Sequence, residues 1–131
     1  MPHLVLEYSS DLEPLPGFRQ VFGQLHAILV DVAGARIANV KSRAVPVEAF
    51  VGDGDPSRAF VHLEVRLMEG RSTEVKAEVS SSCLEVLVAA FADASTNRDL
   101  QITVHAADLE HAIYAKHPPG TIPETRRGSG G

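Results

Sequence analysis

"AFVHLEVRLMEGRST", residues 59–73, changes its period part-way along, and that change sets the fold. Over residues 59–67 apolar and polar side chains alternate: Val61, Leu63, Val65 and Leu67 leave one face, and Phe60, His62, Glu64 and Arg66 leave the other. A period of two is the mark of a strand with one buried face. From "MEGRST" onward the period lengthens. Val75, Val79, Cys83, Val86, Ala90 and Phe91 recur at helical spacing, which predicts a helix with one face on a core. That helix fades near "DASTN" (93–97), and "LQITVHA" (100–106) reads as a further strand.

The residues before 59 have the same order. "HLVLEY" (3–8) alternates as a short strand, and "DLEPLPG" (11–17) carries Pro14 and Pro16, which suit the first turn of a helix because no N–H is needed there. Phe18, Val21, Phe22, Leu25, Ile28, Leu29 and Val32 then form an apolar stripe, and Gly34 stands where a helix stops. "RIANVKSRAVPVEAFV" (36–51) reads as one long strand, with Pro46 placing part of it at an edge or bulge because proline cannot donate to a ladder. "GDGDPS" (52–57) reads as a hairpin connection, lacking calcium-loop spacing and phosphate-loop context. "DLEHAIYAKH" (108–117) has room for a short helical turn, and residues 118–131 have the composition of a mobile tail.

The expectation is therefore an α+β domain over residues 1–117, made of two consecutive β-α-β units, followed by a flexible tail over 118–131. Each unit should hold its two strands parallel, giving a four-stranded mixed sheet with two helices on one face. The other face is left bare and calls for a partner. The chain's 131 residues suffice for one domain with a real core.

Composition narrows the partners. Twelve basic against seventeen acidic residues give a net charge of −5, and two Tyr, five Phe and no Trp make a poor base-stacking platform, which argues against nucleic acid. No apolar run approaches membrane-spanning length, so no membrane partner is expected. One cysteine, Cys83, precludes an intrachain disulfide and suits a reducing cytoplasm; on the apolar stripe of its helix it reads as core. The six histidines offer no pair at metal-ligand spacing with a third ligand nearby, so neither metal nor cofactor is expected. His3 and His62 read as half-buried strand histidines satisfied by neighbours.

"MPHLVLEY" begins its strand at residue 3, so the first residues are placed rather than frayed. Removal of Met1 would leave Pro2 with a secondary amine. An order of β-α-β-β-α-β behind Met-Pro resembles the tautomerase superfamily, whose members use an amino-terminal proline as catalytic base. Within it, "MPHLVLEY", "KSRAV" (41–45) and "AFVHLEVRLMEGRS" (59–72) are similar to the 5-carboxymethyl-2-hydroxymuconate isomerases of homoprotocatechuate breakdown. Members of that family often carry Arg where this chain has Lys41.

The resemblance implies a homotrimer whose sheets enclose a central barrel, an active site around each terminal proline, and a small polycarboxylate dienol as substrate. Pro2 is then the base and proton carrier. An α-amine titrates near 7.7–8.0 when unperturbed, and desolvation or neighbouring cations lower it. Lys41 and Arg43, two apart on a strand, leave one face, and Arg71 opens the second helix. Arg71 and Arg43 are the expected carboxylate anchors and electrophilic stabilisers, with Lys41 a weaker third. Two other readings stand beside this one: another proline-dependent enzyme of the superfamily, such as an enol acid tautomerase or decarboxylase, and a non-catalytic trimeric binding module.

Overall fold

A computed structural model describes residues 1–118. The order is β1 (His3–Ser9), α1 (Phe18–Ala33), β2 (Lys41–Val47), β3 (Arg58–Met68), α2 (Thr73–Ala90) and β4 (Asp99–Leu109), with 3-10 turns at Ile37–Asn39 and His111–Ile113. Strands lie in the order β2-β1-β3-β4. β1 runs parallel to β2, β3 parallel to β4, and the two halves meet where β1 and β3 pair antiparallel. The two β-α-β units are therefore present as the sequence predicts. The expected tail falls outside the described residues except for Pro118.

One face of the sheet is the core. Leu4 and Leu6 of β1 and Val61, Leu63, Val65 and Leu67 of β3 have no exposed surface. They meet Val21, Leu25 and Leu29 of α1 and Val79, Cys83 and Leu87 of α2. Burial pushes the Cys83 thiol up to about 12, as expected of a core residue with no charge beside it. The opposite face follows from the alternation: His3 and Val5 on β1, Lys41 and Arg43 on β2, His62, Glu64 and Arg66 on β3, Thr103 and His105 on β4.

Local chemistry sets the helix ends. Gly34 adopts φ 70°, ψ 22°, and its N–H and that of Ala35 donate to Val30 O and Leu29 O, closing α1 with a left-handed cap that glycine takes without a Cβ penalty. At the start of α2 the Ser72 side chain accepts from the Val75 N–H, with Glu74 in the first turn facing the positive end of the helix dipole.

Three expectations need correction. Pro14 and Pro16 precede α1 rather than lying in its first turn, because Gly17 is the N-cap. The long strand over 36–51 is shorter: Ile37–Asn39 forms a 3-10 turn and only Lys41–Val47 pairs, since only those residues have a neighbour in β1. Pro46 lies on this edge strand, opposite Tyr8, where its missing N–H leaves no ladder bond unmade on the outer side. "GDGDPS" is no hairpin, because β2 and β3 flank β1 instead of pairing with each other. The connection crosses the end of β1 as a turn in which Asp55 accepts from the Ser57 N–H at 2.9 Å and Asp53 pairs with Arg58.

Candidate active site at the amino terminus

Pro2 is buried, and its carbonyl accepts the Lys41 N–H at 3.1 Å, which fastens the start of β1 to the start of β2. One residue before, the Met1 amine donates to Asn39 O at 3.1 Å. The same carbonyl accepts Lys41 Nζ at 2.7 Å. Two amino groups thus converge on one acceptor, held there by the 3-10 turn that shortens β2.

Electrostatics follow from that geometry. The terminal amine is lowered from 8.0 to about 5, first by burial, then by the charge of Lys41, that of Lys116, a hydrogen bond with Lys41, and the charge of Arg71. Each of these disfavours the ammonium form. In the chain with Met1 present this amine belongs to Met1 and the Pro2 nitrogen is an amide; loss of Met1 would make the Pro2 nitrogen the terminal amine.

The three cations expected at the site take different positions. Lys41, on the exposed rim, acts most strongly on the terminus. Arg71 reaches it too, but its guanidinium is also part of the fold: Nε donates to Ala33 O at 2.8 Å and Nη1 to Met68 O at 3.1 Å. It thereby satisfies a carbonyl at the end of α1, where the helix leaves carbonyls without partners, and ties it to the end of β3. Arg43 leaves the same face as Lys41, as its spacing predicts, but its contact is with His3, Nη1 lying 3.5 Å from Nδ1.

Two residues of the site carry no signal in the sequence pattern. Lys116 and Tyr114 follow the 3-10 turn after β4 and fold back over the start of β1. The Tyr114 hydroxyl lies 2.9 Å from His3 Nε2, with the two rings edge-to-face at 6.2 Å. His3 is pushed below the ordinary histidine value by burial and then by Arg43 and Lys41, so it is neutral at pH 7. Among the described residues no three His, Cys, Asp or Glu side chains converge as metal ligands would, and no helix is long and apolar enough to cross a membrane. What the terminus offers is a desolvated amine inside a ring of positive charge, suited to take a proton from an anionic substrate and return it.

Known proteins resemble this chain in sequence and fold. A family model described as 5-carboxymethyl-2-hydroxymuconate isomerase matches residues 2–120. The 5-carboxymethyl-2-hydroxymuconate Delta-isomerase of Escherichia coli is 23% identical over 117 residues, covering 88% of this chain and 93% of that one. The crystal structure of a 5-carboxymethyl-2-hydroxymuconate isomerase from Deinococcus radiodurans R1 is 31% identical, with a TM-score of 0.79 over 88% of this chain and 87% of that one. A fused 4-OT protein described as a symmetric trimer shares the fold at 18% identity, with a TM-score of 0.71 over 89% and 93% of the two chains. With one family model spanning both β-α-β units and the strand that begins behind Pro2, the chain belongs to the 5-carboxymethyl-2-hydroxymuconate isomerase family.

Proposed function

We propose that the protein isomerises 5-carboxymethyl-2-hydroxymuconate or a closely related dienol polycarboxylate in the breakdown of homoprotocatechuate, in the cytoplasm, with Pro2 as general base once Met1 is removed. The observation that carries this reading is the Met1 amine, one residue before Pro2, lowered to about 5 inside a field of three cations. An amine that is neutral at pH 7 has a free lone pair and can accept a proton there. Pro2 takes the proton of the 2-hydroxyl, the electron pair spreads through the diene towards a carboxylate, and the prolinium returns the proton to carbon. Lys41 and Arg71 stabilise the charge between the two transfers, with Arg43 and Lys116 as further anchors for the carboxylates. Neither a cofactor nor a metal takes part. A non-catalytic module would have no use for a depressed amine, so that reading is disfavoured.

We infer a homotrimer on two supports. Both helices cover the same sheet face, leaving the face that carries His3, Arg43, Glu64 and His105 for burial against other copies. A solved relative of the same fold is described as a symmetric trimer. Native mass spectrometry or light scattering tests this, and a stable, active monomer rules it out.

The experiment for the chemistry combines intact-protein mass, turnover of the dienol acid, and titration of the Pro2 amine by 15N NMR. The expected result is a mature chain without Met1, active, with a Pro2 amine well below the free value. A preparation that retains Met1 and turns over at full rate excludes Pro2 as base.

A further inference from the structure

The contacts of His3 fix more than its position. A guanidinium can only donate, so Arg43 Nη1, at 3.5 Å, makes His3 Nδ1 an acceptor. A neutral imidazole with an accepting Nδ1 carries its proton on Nε2. That N–H then donates to the Tyr114 oxygen at 2.9 Å. The hydroxyl hydrogen of Tyr114 is turned away from His3 as a result, and among the described residues it has no acceptor. His3 immediately follows Pro2, and Lys116, two residues after Tyr114, contributes to the field on the terminal amine, so this hydroxyl sits over the start of the strand that begins behind the proposed base.

We infer that Tyr114 is a catalytic residue whose hydroxyl donates a hydrogen bond to the substrate oxygen on which negative charge develops, and that His3 and Arg43 are the positioning residues that aim it. The inference rests on the isomerase reading above and deepens it. Tyr114 keeps its proton throughout. Its bond strengthens as the 2-hydroxyl loses its proton to Pro2 and weakens again when the proton reaches carbon, so it favours the charged intermediate over both neutral ends. Neutral His3 keeps Arg43 engaged at Nδ1, which holds the ring in place; an imidazolium would still donate from Nε2 to Tyr114 but could not accept from Arg43.

The test uses the full chain as wild type, Tyr114→Phe, His3→Leu and His3→Gln, with three enol acids: 5-carboxymethyl-2-hydroxymuconate, 2-hydroxymuconate and phenylenolpyruvate. Tyr114→Phe removes one oxygen and leaves the ring packing. Its kcat should fall about a hundredfold, the effect of removing one preorganised donor to a developing oxyanion, with KM and thermal midpoint little changed. His3→Leu should match that loss. His3→Gln, whose amide can donate where Nε2–H did, should recover part of it. The inference is overturned if Tyr114→Phe keeps the wild-type kcat, if its loss lies wholly in KM, or if His3→Leu behaves as wild type, and each of these leaves the isomerase reading intact. Wild-type protein inactive on all three acids overturns both.

Discussion

Replacing Lys41 by Met removes one charge and keeps much of the side-chain bulk. Lys41 Nζ and the terminal amine share the Asn39 carbonyl at 2.7 and 3.1 Å, so the two nitrogens are at most about 5.8 Å apart, those two bonds laid end to end. Unit charges at that distance repel by about 0.7 kcal/mol in bulk water and roughly 3 kcal/mol at an effective dielectric of 20. At 1.36 kcal/mol per pKa unit this spans about 0.5 to 2 units. Lys41 is exposed, so salt and solvent hold the effect to the middle of that range, about one unit. The sign is fixed: removing a cation relieves the ammonium form, and the amine pKa rises. In protein retaining Met1 the shift is read by 15N NMR of the labelled α-amine. In the processed protein it should move the acidic limb of the kcat/KM profile upward, because the base must be neutral to act. High salt should shrink the difference. A Lys41→Met amine that titrates where the wild type does, at low salt, refutes the argument that this lysine sets the field at the terminus.

Arg71→Ala should cost both activity and stability, because the guanidinium holds Ala33 O and Met68 O as well as facing the terminus. The expected outcome is a ten- to hundredfold fall in kcat/KM with a destabilisation of about 2 kcal/mol by urea unfolding, whereas Arg19→Ala, on the exposed side of α1, should do neither. Glu64 bridges His62 Nε2 and His105 Nδ1, each at 2.8 Å. Burial pushes its carboxyl up, but the hydrogen bonds from His62 and His105 outweigh that and hold it below the usual carboxylate range. A depressed carboxylate contributes stability that is complete above its unfolded pKa and lost as pH falls through the folded one. Glu64→Gln should therefore melt earlier than wild type at pH 7, and the gap should close on acidification below the ordinary glutamate value.

The elements were legible in the sequence because their causes are local. The alternation of Val61 to Leu67, the apolar stripes ending at Gly34 and Phe91, and the missing N–H of Pro46 each act over a few residues, and each appears in the fold as its spacing implies. The strand that begins at residue 3 placed the terminus on the same grounds, whereas the role of Met-Pro there came from the resemblance. Two of the three misreadings share a source: strand pairing is a long-range event. Ile37–Asn39 has the composition of a strand but no partner beside it, and "GDGDPS" has the composition of a hairpin but joins strands that flank β1. The site shows the same division. That Lys41 and Arg43 share a face follows from a period of two, but only folding brings residues 1, 41, 71 and 116 to one amine. Arg71 stands at a helix start in the sequence, and only the packing of α1 against the end of β3 supplies the two carbonyls that engage it. Tyr114 and Lys116 lie in a segment with no periodicity at all, so their place over His3 is decided by the tertiary path of the chain after β4, where contact depends on closure across more than a hundred residues rather than on any spacing along the sequence.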